Sequence, residues 1–397
     1  MKNHYSLHPG RAAVRMWFAL FLAFAPAAGA RLAAQAAASP GAARAVSALP
    51  ERLSDSSFWK LVTDISEPGG YFRITDNFTS NEIEVGELSS LLRSTGVTGG
   101  VFLGVGPEQN LSYIAAIHPK MAFIVDIRRQ AVMQHLMFKA MFELARDRAD
   151  FISLLFARPR PAGIDSTTGI QKIWDLYWPV RTDSATGMST ARRIEDQLTR
   201  THGFTFTKEE TGQLESVMQA FQYYGPVIST RGAPGGRGGG NAGGFWQMTG
   251  ASLDGSGQPQ SFLSSEDNYR YVKGLHEKNL IVAVSGDFGG PKAIRAIGAW
   301  LKEQHAEVSA FYVSNVEQYL FGDGKEKAFY DNVVTLPLNS KSVFIRPYSM
   351  RRFGGYGYGG GGASGGAVRS LCPIEAFLRT VAAGRVVRND DALACEP

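Results

Sequence analysis

The chain has 397 residues, an apolar fraction of 44% and a formal charge of +5. That is ample chain and apolar content for one large globular domain or two ordinary ones with a real core. Lys2, Arg11 and Arg15 inflate the charge from a segment that holds no acid, so the remainder is only mildly basic and gives no electrostatic case for nucleic acid.

The basic start ends at Arg15, and the apolar run from Met16 to Ala25 is short for a membrane span. Small residues follow, with Ala-x-Ala sites at Ala28-Gly29-Ala30 and Ala34-Gln35-Ala36. Residues 1–36 therefore read as a cleaved secretory signal peptide and 37–52 as a disordered Ala-rich linker. The expected location is periplasmic or secreted, with no stable membrane span after cleavage; the alternative is an uncleaved anchor. Cys372 and Cys395 both lie near the C-terminus. In an oxidising compartment they read as a disulfide closing a C-terminal loop, and otherwise as two unpaired thiols.

The first ordered segment is expected over 53–66, capped by Ser54 or Ser56, with Phe58, Trp59, Leu61, Val62 and Ile65 as its apolar stripe. Glu67-Pro68-Gly69-Gly70 breaks it, and a second helix is expected over 81–93, so that 53–95 form an N-terminal helical segment. Next comes a βαβ unit. An apolar run enters Gly104-Val105-Gly106, a short helix over 110–117 stops at His118-Pro119, and a second apolar run over 121–126 ends in Asp126. Continuous apolar strands of this kind suit a parallel sheet covered on both faces. A long helix is expected over 130–158, with Met133, Met137 and Met141 in the core and His135 and Lys139 on a solvated face. Residues 160–230 read as a helical insertion broken at His202-Gly203, followed by a Gly-rich loop over 231–244. Alternation then resumes: strand over 280–284, helix from Pro291 to 304, strand over 308–313, helix over 325–332, strand over 342–345. The pattern predicts an α/β fold, a Rossmann-like doubly wound and mostly parallel sheet over 96–346 carrying that insertion. Residues 347–397 hold a second Gly-rich patch and the cysteine-bearing tail.

Chemistry is expected around the first βαβ unit. Glycines at 104 and 106 let backbone approach a ligand, and the helix that follows offers free N–H groups. Asp126, 22 residues after Gly104, stands where an acid can accept hydrogen bonds from two ribose hydroxyls. The alternative is a bare turn, with Asp126 capping the next helix. The dinucleotide fingerprint wants a third glycine where Gln109 stands, which weakens a nicotinamide or flavin reading. Asp287, after the next strand, is either a base or substrate ligand, or a helix-start acid. Asn315, Glu317 and Tyr319, after the strand beyond, either meet a substrate amine or hydroxyl or simply pack a helix. Arg128 and Arg129 either grip an anionic ligand or substrate, form a solvated helix start, or partner the acid. Tyr71-Phe72 and Asp76-Asn77-Phe78 could fold over the crevice as a lid. The histidines lack metal spacing and two cysteines are too few for zinc, so no metal is expected. No Gly-x-Ser-x-Gly motif occurs, which leaves a serine hydrolase unsupported.

Gly104-x-Gly106 followed by Asp126 resembles the cofactor loop and ribose acid of class I S-adenosylmethionine-dependent methyltransferases. The resemblance covers roughly residues 96–128, with general topology to about 346. It implies S-adenosylmethionine held by Gly104, Gly106, Glu108, Asn110 and Asp126. It implies transfer of a methyl group to an unassigned substrate, with Asp287 and Glu317 in the catalytic part and Asn315, Tyr319 and Arg128 binding substrate. That family usually carries an acid two residues before the first glycine. Phe102 stands there in this chain, and Glu108 is the nearby acid that could substitute. Three segments beginning at Leu103, Ala122 and Val313 also resemble an uncharacterised family of exported bacterial proteins, which carries no implied activity. Because the methyl donor is cytosolic, a second expectation stands beside the first: a non-catalytic exported protein that keeps the fold as a small-molecule-binding or protein-interaction module.

Overall fold

Short apolar runs bounded by glycine and proline form the strands here, and amphipathic stretches between them form the helices. The computed structural model describes residues 49–73, 77–80, 82, 84–230, 244–346 and 370–395. The expected signal segment, nearly all of the linker, the Gly-rich loop over 231–243 and the Gly-rich patch over 354–366 lie outside the described residues.

The fold is α/β, and among the described residues it is built on a six-stranded, mostly parallel sheet. Its strands are β1 (Val101–Gly104), β2 (Met121–Asp126), β3 (Ile281–Ser285), β4 (Val308–Tyr312), β5 (Val343–Ile345) and β6 (Leu371–Pro373). They lie in the order β3-β2-β1-β4-β5-β6, the first five parallel and β6 antiparallel against β5. The chain adds β2 and β3 on one side of β1, then crosses to add β4 and β5 on the other. The order therefore reverses between β1 and β4, which splays the connections apart at the C-terminal ends of those two strands. Every residue of β1, β2 and β3 is buried, as expected for strands covered on both faces.

Helices α1 (Asp55–Ile65) and α2 (Val85–Ser94) precede the sheet. Ser54 caps α1, its hydroxyl accepting from the Ser57 N–H. α3 (Gln109–Ile117) joins β1 to β2 and ends at His118, whose φ of +52° turns the chain out of the helix. Between β2 and β3 lie α4 (Arg129–Leu144), α5 (Arg148–Phe156), α6 (Ile170–Tyr177), α7 (Ser184–Asp196), α8 (Lys208–Tyr224) and α9 (Glu266–Glu277). The long helix expected over 130–158 is in fact α4 and α5. The chain leaves α4 at extended Ala145, and Asp147 caps α5 by accepting from the Asp150 N–H.

His135 and Lys139 do not form a solvated face. They are 3% and 1% exposed, because α4 packs between α8, α9 and β3 and has no free side. Lys139 is satisfied internally by Glu143, the His276 carbonyl and Asn279. Met133, Met137 and Met141 are core residues, each at most 1% exposed.

Beyond β3 come α10 (Ala293–Glu303), α11 (Val316–Asp323) and α12 (Glu326–Val333). α10 starts at Ala293 rather than at Pro291. The Glu67 carboxylate accepts the N–H groups of Lys292 and Ala293, both at 2.8 Å, and so sets its first turn. The tail adds β6, α13 (Ile374–Ala382) and α14 (Asn389–Ala394), which the sequence did not foretell. A disulfide joins Cys372 in β6 to Cys395 just past α14, with 5.9 Å between Cα atoms.

The segment after α1 crosses the C-terminal edge of the sheet. The Glu67 N–H donates to the Ser285 carbonyl at 2.8 Å, and the Gly70 N–H to the Ile127 carbonyl at 2.7 Å. Further on, the Ser80 N–H meets Glu108, and Glu82 meets Ser314. This arm thus passes over β3, β2, β1 and β4 in turn.

Candidate functional site

A crevice of about 420 Å³ opens beyond the C-terminal ends of β1, β2, β3 and β4. The loop after β1 contributes Val105, Gly106 and Pro107, and β2 contributes Asp126 and Arg128. β3 contributes Gly286 and Asp287, and β4 contributes Ser314 and Asn315. The arm closes one side with Tyr71, Phe72, Arg73, Asn77 and Ser80. Tyr71 is largely exposed, whereas the Phe72 ring meets Tyr319 edge-to-face at 5.1 Å. The Arg73 guanidinium sits 4.8 Å from the centre of the same Tyr319 ring.

The loop after β1 is held from beneath. Asn110 donates from Nδ2 to the carbonyls of Val105, Gly106 and Pro107 at 2.9, 3.2 and 2.7 Å. A Cβ on Gly104 would fall 2.0 Å from Asn110 Oδ1, so this glycine makes room for that bracing side chain. Gly106 has a φ of +77° and lines the crevice. His135 Nε2 lies 2.9 Å from the Gly106 carbonyl. Burial pushes His135 below the usual imidazole value, so the neutral ring donates this bond.

The residues expected to carry chemistry separate into two groups. Gly106, Asp126, Arg128, Asp287, Asn315 and Tyr319 all line the crevice. Gly104, Glu108, Asn110 and Glu317 do not. Gly104 and Asn110 are scaffold of the loop. Glu108 faces the arm, where both carboxylate oxygens stand 3.2 Å from the Ser80 N–H. Burial pushes Glu108 up to about 8, against the backbone bonds it accepts. It is therefore a buried acid beneath the arm. Glu317 is fully buried and pairs with Arg346, Nε to Oε2 at 2.6 Å, and its other oxygen accepts from the Tyr330 hydroxyl at 2.9 Å. Being the second residue of α11, it turns inward toward β5, away from the crevice.

The crevice acids are themselves engaged. Asp126 Oδ1 accepts from the backbone N–H and Nε of Arg128 at 2.9 and 3.1 Å, and Oδ2 accepts from Nη2 at 2.9 Å. Three of the roughly four acceptor positions of a carboxylate are thereby filled. Asp287 caps its own turn through the Gly289 N–H at 2.9 Å and pairs with Lys325 at 2.8 Å. The walls thus carry both signs, with Arg73, Arg128 and Lys325 facing Asp126, Asp287 and Asp323.

Gln109 and Ser314 line the crevice and join Tyr312 and Glu82, which do not, in a hydrogen-bonded group that nothing in the linear sequence announces. The Ser314 hydroxyl donates to Glu82 Oε1 at 2.7 Å. The Tyr312 hydroxyl donates to the same oxygen at 2.5 Å, and Gln109 Nε2 donates to Tyr312 at 2.6 Å. More than 200 residues separate Glu82 from Ser314, and only the folded arm unites them. Glu82 is 3% exposed, and burial pushes its carboxyl up to about 7 despite the bonds from Tyr312 and Ser314.

Among the described residues no group of three or more His, Cys, Asp or Glu side chains is placed to hold a metal ion. Among the same residues no helix is long and apolar enough to cross a membrane. Compared with known families, residues 77–172 and 248–365 match the one described as a domain of unknown function (DUF7790). No curated protein matches the sequence. The matched residues make up more than half of the chain and include both the β1 loop and the β4 turn.

Proposed function

The chain belongs to this DUF7790 family, and from that premise we propose that it is an exported protein whose methyltransferase-like, Rossmann-type crevice binds a nucleoside-type ligand. One observation carries the reading. Gly106 and Asp126 border a single crevice where the strand order reverses, the place at which open α/β sheets take their ligands. The ligand's sugar would sit between the β1 loop and Asp126, using the acceptor position that Arg128 leaves free. S-Adenosylmethionine is the cofactor that the resemblance implies, and methyl transfer the reaction. Gly106 and Asp126 fit its nucleoside end. Phe102, fully buried in β1, is a poor fit for its amino-acid end. The signal-like N-terminus and the Cys372–Cys395 disulfide support export.

The Asp126–Arg128 pair also favours a second reading, a non-catalytic binding module, because a ribose acid so fully engaged holds its ligand weakly. Calorimetry of the mature chain with S-adenosylmethionine, S-adenosylhomocysteine and adenosine tests both. Saturable binding of one of them, lost in Asp126→Ala, is the expected result. Heats of dilution alone for all three would end the nucleoside reading. Fractionation with the disulfide state scored by alkylation tests export, and a reduced cytosolic protein would end that part.

A further inference from the structure

Ser314 has an unusual backbone for a crevice residue. It lies in the three-residue link between β4 and α11, with a φ of +47°. A side-chain-bearing residue holds that left-handed conformation only where its surroundings impose it. A sharp strand-to-helix turn lifts its side chain clear of the flanking backbone, which is how hydroxyl nucleophiles are presented at the end of a parallel sheet. The link reads Val313-Ser314-Asn315 and lacks the flanking glycines of the familiar motif, so no sequence pattern marks it.

Behind the hydroxyl stands a base. Glu82 Oε1 accepts from Ser314 Oγ at 2.7 Å. Tyr312 fixes the carboxylate through a second bond to the same oxygen, and Gln109 fixes Tyr312. Glu82 Oε2 is buried and has no hydrogen-bond partner among the described residues. Glu84 raises Glu82 further by its charge, Glu108 and Tyr113 are raised in turn by Glu82, and among the described residues no cation appears among the groups that shift Glu82. A carboxyl pushed up to about 7 by burial is matched to exchanging a proton near neutral pH.

We propose that Ser314 is a nucleophile and Glu82 its general base, acting on a carboxylic ester bound in the crevice. The arrangement has the parts this chemistry needs: a hydroxyl within hydrogen-bond reach of a base, and the base oriented by a third group, Tyr312. In the first step Ser314 Oγ bonds to the ester carbonyl carbon while its proton passes to Glu82. The bond to the leaving oxygen then breaks, and Glu82 returns the proton to that oxygen, releasing the alcohol. Water repeats the sequence on the acyl-serine, giving the carboxylic acid and restoring both side chains. The first turn of α11 begins two residues beyond Ser314; its Val316 N–H donates to the Val313 carbonyl at 3.1 Å, and the N–H groups that follow in that turn would be the donors to the carbonyl oxygen as negative charge develops on it.

A fluorophosphonate probe tests this on the full mature chain, with the adduct located by peptide mass spectrometry. One adduct on Ser314 is expected, its rate rising with pH about a midpoint near 7. Glu82→Gln keeps a hydrogen-bonding side chain and should slow labelling roughly 100-fold and flatten the pH profile. Ser314→Gly suits the left-handed backbone and should fold normally while losing the adduct. Tyr312→Phe, which leaves the carboxylate in place but unoriented, should slow labelling less than Glu82→Gln. No adduct on Ser314, or a wild-type rate and pH profile in a folded Glu82→Gln protein, overturns the proposal. Adenosine calorimetry on the same samples separates the two readings. Labelling without adenosine binding defeats only the nucleoside ligand, and binding without labelling defeats only the nucleophile.

Discussion

The guanidinium of Arg128 closes back onto the carboxylate of Asp126, two residues earlier, with Nη2 2.9 Å from Oδ2 and both side chains less than a tenth exposed. The acid that the sequence singles out for a sugar is therefore also the anchor of a buried ion pair. Removing one member leaves a desolvated charge behind, which costs about 3–5 kcal/mol where no solvent reaches it. The crevice edge admits some water, so Asp126→Ala and Arg128→Ala should each cost about 3 kcal/mol, the lower end of that range. The double variant should cost clearly less than the sum of the singles. Urea unfolding of the four proteins checks this. Additive losses would mean that the two charges do not stabilise each other.

The two loop glycines are needed for different reasons and should respond differently to alanine. At Gly104 a Cβ would overlap Asn110 Oδ1 at 2.0 Å and displace the side chain that ties together three loop carbonyls. At Gly106 the nearest atom is 3.7 Å away, and only the φ of +77° is at stake. Gly106→Ala should then cost about 1 kcal/mol of left-handed strain. Gly104→Ala should cost about 3 kcal/mol, comparable with Asn110→Ala, through overpacking and lost hydrogen bonds. Guanidinium unfolding ranks them, and Gly106→Ala as the more damaging of the two would refute the assignment.

Such differences explain what could be read from the chain before folding. Strands β1 to β4 were legible because each is a short apolar run between turn residues, and residues in both layers must be apolar when a sheet is covered on both sides. The crevice side of Gly106, Asp126, Asp287 and Asn315 was legible because C-terminal strand ends point to one edge. Glu317 was misplaced because its neighbours Val316 and Tyr319 do face the crevice, and only helix phase turns Glu317 inward. Lys139 was misplaced because polar residues on a helix normally mark its wet side. Here Glu143 and Asn279 supply its partners from within the core. The pairing of Ser314 with Glu82 was beyond reach, since nothing local records that the arm would return over β4. Strand β6 is short and follows a long glycine-rich interval, so no periodicity announced it.

Burial of Glu317 with Arg346 makes a structural prediction for a residue first expected in catalysis. Neither side chain is exposed, and the guanidinium lies between the rings of Phe344 and Phe377 at 4.7 and 4.6 Å. Glu317→Ala should cost about 3–5 kcal/mol, because it strands the cation. Replacing the pair together, Glu317→Leu with Arg346→Met, should recover much of that loss, since apolar side chains of similar size suit the site. Thermal unfolding measures both. Fluorophosphonate labelling of Ser314 in the folded double variant should match the wild type. A selective loss of labelling without loss of stability would return Glu317 to the reacting site.

His202 ties the insertion to the body of the protein and should make that tie sensitive to pH. Its Nδ1 lies 2.8 Å from Asp55 Oδ1 in α1 and its Nε2 lies 2.6 Å from Glu143 Oε2 in α4. Both ring nitrogens must carry protons to make both bonds, so the imidazolium is the form that holds. Burial lowers the His202 pKa and nearby Lys139 opposes the charge, but the bond and charge of Glu143 and the bond to Asp55 outweigh them and raise it above 6.5. For Glu143, burial acts upward, and the bonds from His202, Lys139 and Gln197 overcome it and hold the carboxyl at about 2. A raised histidine contributes stability that is complete below 6.5 and disappears as pH rises through its folded-state value. A depressed carboxyl contributes above 4.5 and is lost as pH falls toward about 2. The clamp is therefore strongest between 4.5 and 6.5. His202→Phe keeps a ring to stack on Phe204, 5.0 Å away in the wild type, and removes only the charge and the two bonds. Its unfolding midpoint should lie well below that of the wild type inside this window, and the gap should narrow at alkaline pH as the wild-type ring loses its proton. A gap that stayed constant from pH ~5 to pH ~9 would show that the neutral ring holds the insertion equally well.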